Sequence, residues 1–167
     1  MNFIQICSFQ EGENMLKINV IAVGGIKEKF FVEAIKEYSK RLSKYCQLKI
    51  IEVDEESNQK SIDVKKQKES ERLIASSKGI MVLLDREGEL VSSEKMAEMI
   101  DKYQTQGNSE LTFVIGGSNG VSEQLKQKAN KSISFGKITF PHQLFRVVLL
   151  EQIYRAVCIN SNTPYHK

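Results

Sequence analysis

Residues 16–23 (LKINVIAV) form a mostly apolar run closed by Gly24-Gly25, which predicts a buried strand. From Glu28 to about Cys46, Phe31, Ile35, Tyr38, Leu42 and Tyr45 recur at three- and four-residue steps, the spacing of one face of an amphipathic helix. LKIIEV (48–53) reads as a second strand, followed by an acidic and polar stretch to Gln59. A sparser pattern from Ser61 to Ser76 predicts a polar helix with Ile62, Leu73 and Ile74 as its few apolar anchors. IMVLLD (80–85) is a third strand that runs into the turn-like Asp85-Arg86-Glu87-Gly88. Ser92 or Ser93 can cap a helix reaching about Tyr103, with Met96, Met99, Ile100 and Tyr103 on one side. LTFVIG (111–116) is a fourth strand, and Ser122 then caps a short basic helix. A fifth strand is expected over about Ser132 to Phe140, and a final helix from about Gln143 to Ile159.

Strands alternate with helices throughout, and most strands are continuous apolar runs. That pattern predicts an α/β fold whose mainly parallel sheet is covered by helices on both faces. No repeat or linker interrupts it, so residues 15–167 read as one domain. A domain of this size buries roughly 70% of the surface its unfolded chain exposes. Residues 1–14 precede the first strand pattern, lack positive charge and do not resemble a signal peptide. They are expected to be a disordered N-terminal extension.

At 41% hydrophobic and 27% charged residues, the composition is that of an ordinary globular protein. No apolar run approaches the roughly 18 residues of a membrane span. Cys7, Cys46 and Cys158 are odd in number and widely spaced, which argues against a disulfide framework or a metal site and for a reducing cytoplasm. Cys46 and Cys158 lie in apolar stretches and read as small core residues. The net charge of +3 conceals an asymmetry. Residues 50–110 hold nine basic and fourteen acidic side chains, whereas residues 126–167 hold seven basic and one acidic. A basic C-terminal third suits a polyanionic partner such as RNA, although a solvated basic face accounts for charge alone equally well.

Three constellations carry candidate chemistry. FVIGGSNG (113–120) takes a buried strand into three glycines within five residues, at the carboxyl end where open α/β sheets hold their ligands. It is neither a P-loop nor GxGxxG, and an ordinary strand-to-helix turn would look the same. The chain's two prolines and two histidines cluster as Pro141-His142 and Pro164-Tyr165-His166. Proline restrains the backbone beside a side chain suited to proton transfer near neutral pH. Finally, the helix beginning at Gln143 is apolar on nearly every side, with Arg146, Glu151 and Arg155 as exceptions. Such a helix must be buried all round, for which a subunit interface is one solution. Glu151 and Arg155 are spaced to pair. Arg146 and Arg155 lie on opposite sides of the helix, so at least one is expected to face a partner.

FVIGGSNG, SFGKITFPHQLFRVVLLEQIYRA and the terminal PYHK together resemble the ribosomal RNA large-subunit methyltransferases that act on N3 of pseudouridine, a family of the knotted SPOUT class. The resemblance extends to MLKINVIAVG, KEKF and EYSKRL, and so covers Met15 to Lys167. It implies a C-terminal trefoil knot, which general topology rules would have excluded. It also implies S-adenosylmethionine, held by backbone groups at Leu84, Gly116, Phe135, Gly136, Lys137, Ile138, Thr139 and Phe140. The partners implied are a second copy of the chain and the ribosomal RNA of assembled ribosomes, with no membrane and no metal. Arg155, Tyr165 and His166 become the substrate-facing residues, with His142 close to the cofactor loop. Asn160-Ser-Asn-Thr163 departs from relatives that carry a basic residue or glycine there, and is assigned no role. A non-enzymatic RNA-binding module with a vestigial cofactor pocket is the alternative.

Overall fold

The computed structural model describes residues 3–4 and 15–166. The remainder of the expected N-terminal extension, with Cys7, and the terminal Lys167 lie outside the described residues. The elements run β1 (Phe3–Ile4), β2 (Lys17–Val23), α1 (Lys29–Leu42), β3 (Gln47–Val53), α2 (Ile62–Ser76), β4 (Ile80–Leu90), α3 (Ser93–Thr105), β5 (Glu110–Ile115), α4 (Glu123–Lys128), β6 (Lys131–Ser134) and α5 (His142–Asn160). The sheet order is β1-β3-β2-β5-β4-β6. β2 to β6 are mutually parallel, and β1 pairs antiparallel with β3 at one edge.

Both faces of the sheet are covered, as the continuous apolar strands require. On β2, Ile18, Val20 and Ala22 join one core with Ile35 of α1, Met96 and Ile100 of α3, and Leu149 and Ile153 of α5. Ile21 and Val23 point the other way, to a smaller core with Leu73 of α2 and Leu125 of α4. The period-two alternation of a strand thus sorts one apolar run into two cores. Asn19 is buried among them, and its amide donates to Glu110 at 2.9 Å. Ser92 caps α3 by accepting from the Lys95 N–H at 3.2 Å, and Ser122 caps α4 by accepting from Leu125 at 3.3 Å.

Three expectations need correction. The strand expected to reach Phe140 stops at Ser134. There Ser134 Oγ accepts from the Gly136 N–H at 3.2 Å, and Gly136 sits at φ 128, so the chain leaves the sheet. The turn expected at Asp85–Gly88 is instead part of β4, which continues to Leu90. Its register shifts there, because both Leu84 and Glu89 pair with Ile133. Gly88 is present for close approach: a Cβ on it would lie 2.7 Å from the Ile133 nitrogen. Ile62 does not anchor α2, being 60% exposed at its first turn. The buried positions of that helix are Glu69, Ser70 and Leu73.

Candidate active site

A cavity of about 510 Å³ opens at the carboxyl ends of β5 and β6 and the middle of β4. Leu84, Ile115 and Ile133 line it from these strands, beside the glycine loop 116–120. Phe135, Gly136, Ile138, Thr139 and Phe140 line it from the loop after β6, and His142 and Phe145 from the start of α5. The loop after β6 is held on α5 by aromatic packing: Phe140 stacks on Phe145 with centroids 5.5 Å apart, and Phe135 lies 5.6 Å from the same ring. Lys137 is the one expected cofactor position outside the lining. Its ammonium is held by Glu87 and the Arg86 carbonyl, both at 3.1 Å.

The entry of α5 is fixed by Arg146, which is 2% exposed. Its guanidinium donates to Glu52 Oε1 at 2.9 Å and to the carbonyls of Val23 at 2.8 Å and Gly24. Burial pulls the Arg146 pKa down, and the adjacent Glu52 carboxylate opposes that pull. Glu52 Oε1 also accepts the Ile26 N–H at 3.0 Å. One buried cation therefore ties α5 to the ends of β2 and β3. The expectation that Arg146 or Arg155 faces a partner is not met by Arg146, which is consumed inside its own chain.

The expected substrate-facing residues form a second cluster, and none of them lines the cavity. Arg155 pairs with Glu151 at 2.6 Å, lies over the Tyr165 ring at 4.9 Å and approaches His166 Nδ1 at 3.3 Å. The Tyr165 hydroxyl donates to Glu151 at 3.3 Å. His166 Nε2 contacts Glu94 Oε1 at 2.9 Å. Burial, then the neighbouring Tyr38 and Glu151, push the Tyr165 phenol up to about 12. The hydrogen bonds that Arg155 donates to Glu151 raise its pKa further. Near neutral pH these two side chains are therefore a fixed donor and a fixed cation. Glu94 is lowered to about 2, by hydrogen bonds from the Ser92 side chain, its own backbone and His166. From position 142 to position 155 the axis of α5 rises roughly 20 Å, which separates this cluster from the cavity within one chain.

Sequence reasoning missed Glu52, Arg146 as an internal tie, and the buried Glu69. Glu69 lies in a polar stretch, where a glutamate reads as solvated, and nothing in the spacing of Glu52 and Arg146, each within an apolar stretch, reveals that they are partners 94 positions apart. Cys46 and Cys158 are buried free thiols, with burial pushing Cys46 up to about 12. Among the described residues no helix is long and apolar enough to cross a membrane, and no metal-binding group of His, Cys, Asp or Glu is found.

A parallel α/β sheet with a ligand-sized cavity of this kind marks a small-molecule site without fixing its chemistry. Comparison with known proteins narrows it. The family described as "Predicted SPOUT methyltransferase" matches residues 16–166. The chain is 47% identical over 159 residues to ribosomal RNA large subunit methyltransferase H of Clostridium botulinum strain Alaska E43, covering 91% of this chain and 100% of that protein. The same enzyme of strain Okra is 48% identical with the same coverage. The chain thus belongs to the SPOUT methyltransferases and, within them, to the family of ribosomal RNA large subunit methyltransferase H. Among solved structures, the SpoU methyltransferase AviRb from Streptomyces viridochromogenes, in complex with AdoMet, is similar at a TM-score of 0.45 and 12% identity. That likeness covers 91% of this chain and 63% of that one.

Proposed function

We propose that this chain methylates N3 of a pseudouridine in large-subunit (23S) ribosomal RNA, using S-adenosylmethionine, on assembled ribosomes in the cytoplasm and as a homodimer. The observation that carries this reading is the cavity at the ends of β5 and β6 and the middle of β4. Its volume of about 510 Å³ lies within the range of small-molecule sites, and its walls combine apolar side chains with exposed loop backbone. That donor set fits an adenosine-bearing cofactor, with Leu84, Gly116 and the Phe135–Phe140 segment as its holders. When bound, S-adenosylmethionine supplies an electrophilic methyl group on a sulfonium.

The protein's own part is orientation and charge. The ring N3 carries a weakly acidic proton that must leave before or during attack. His166 is the group that accepts it, once Nδ1 is released from the Arg155 guanidinium that contacts it at 3.3 Å, while Glu94 steadies the imidazole through Nε2. Arg155 and Tyr165, held on Glu151, stabilise the negative charge that develops on the base. His142, in the lining, keeps the cofactor side of the site shaped. Because cavity and cluster lie at opposite ends of α5, the reading requires the cluster of one subunit to meet the cavity of the other. The half-buried apolar side chains Leu144, Val147 and Val148 of α5 support such an interface. The trefoil knot belongs to the same proposal. Its support is the end of β6 and the chain after it, which bond along the 86–91 segment through Ser134 and Lys137.

Titration calorimetry with S-adenosylmethionine tests the reading at its root: binding is expected, and none up to millimolar concentration sinks it. Methyl incorporation into intact ribosomes but not free RNA separates an enzyme on assembled ribosomes from a binding module, which would incorporate nothing.

A further inference from the structure

Glu69, in α2, is 2% exposed, a depth that glutamate rarely reaches unpaired. Its Oε1 accepts the Glu56 N–H at 3.0 Å, whereas Oε2 has no hydrogen-bond partner. Oε2 lies directly against Gly117, where an added Cβ would sit 2.5 Å from it. Gly117 in turn lines the cavity. An uncompensated carboxylate oxygen is thus packed immediately behind the glycine loop.

The other carboxylates around this end of the sheet are matched. Lys126 serves Asp85 at 3.8 Å and Glu123 at 3.3 Å, and Lys137 serves Glu87 at 3.1 Å. Behind Glu69, Glu56 has Arg72 at 2.7 Å. Among the described residues Glu69 has no such cation. A buried carboxylate without one is costly, so a compensating positive charge elsewhere would stabilise it.

We infer that Glu69 sets the charge preference of the cavity, favouring a ligand with a cationic sulfonium over the same ligand with a neutral thioether. The inference rests on the cofactor proposed above: the methyl donor carries one more positive charge than its demethylated product. In a low-dielectric setting a charge acts across several ångströms without contact. Glu69 then helps retain the donor and release the product. It touches neither ligand nor reacting atoms, so it is a specificity residue rather than a catalytic one. A purely structural role, bracing the backbone at Glu56, would not distinguish the two ligands.

The test is calorimetry on the full chain with S-adenosylmethionine and, separately, S-adenosylhomocysteine, comparing wild type with E69Q. The amide keeps the volume and can still accept from Glu56. Donor affinity is expected to fall by about fivefold or more, with product affinity unchanged within about twofold. Equal losses for both ligands, or no loss for either, overturn the inference while leaving the cofactor reading intact. Wild type binding neither ligand overturns the cofactor reading itself, and the inference with it. Should E69Q fail to show a cooperative melt, E69A carries the test. It removes the charge, so the donor-to-product affinity ratio is expected to fall by about fivefold even where both affinities drop. A ratio unchanged from wild type overturns the inference.

Discussion

Arg146 donates to one carboxylate and two carbonyls that no other side chain serves among the described residues, apart from the backbone bond from Ile26 to Glu52. Replacing it with methionine keeps the volume and strands Glu52 with the ends of β2. We expect R146M to lose about 3–5 kcal/mol in urea denaturation, the range for removing one partner of a buried pair. A loss under about 1 kcal/mol would show that the pair is dispensable. His166 offers a residue-scale test by pH. Glu94 is lowered from 4.5 to about 2, so its folded form favours the charged carboxylate. Its contribution is present above about 4.5 and is lost as pH falls toward 2. The chain end pinned by Glu94 and His166 is therefore expected to loosen in that window, as read by the His166 ring proton signals in NMR. E94Q should abolish the transition, and an unchanged profile in E94Q would remove this contact as its cause.

The elements that were legible are those whose apolar spacing survives alone: β2 and β5 as buried runs, α1 and α3 as one-sided helices, and the caps at Ser92 and Ser122. The positions expected to hold the cofactor converge on one cavity, Lys137 excepted, and they were named through resemblance rather than periodicity. What stayed hidden has physical causes. β4 passes through Asp85–Gly88 because β6 pairs with it beyond a register shift, which is a tertiary effect that local turn residues do not announce. α2 buries Glu69 and Ser70, so its inner face does not look apolar. Ser70 Oγ accepts the Ser122 N–H at 2.8 Å and so ties α2 to the start of α4. At this scale the two-chain site makes a distinct prediction. An inactive G116V variant mixed with an inactive H166A variant should regain roughly a quarter of wild-type turnover, since hybrid dimers keep one intact composite site. No recovery, with hybrid dimers shown to form, would place the whole site within one chain.

Across the whole molecule, charge is distributed to suit the proposed partner. Residues 126–167 carry seven basic groups and one acidic group, while the net charge of the chain is only +3. Internal pairing uses up part of this excess: Arg146 is buried on Glu52, and Arg155 is held by Glu151. Lys131 lies 2.9 Å from Glu89. The affinity for ribosomal RNA is therefore expected to depend only moderately on salt. Lys126 is likewise engaged with Asp85 and Glu123, and Lys137 with Glu87, so the slope of log affinity against log salt should correspond to about two phosphate contacts, read by filter binding between 50 and 200 mM salt. A slope near zero would mean that shape and base contacts dominate. The most direct measurement of the central claim is transfer of a labelled methyl group from S-adenosylmethionine into intact ribosomes that lack the modification, with the product nucleoside located by mass spectrometry. Incorporation confined to N3 of a pseudouridine in the large-subunit RNA is the predicted result. Label on another nucleoside, or none from a protein that binds S-adenosylmethionine, would contradict it.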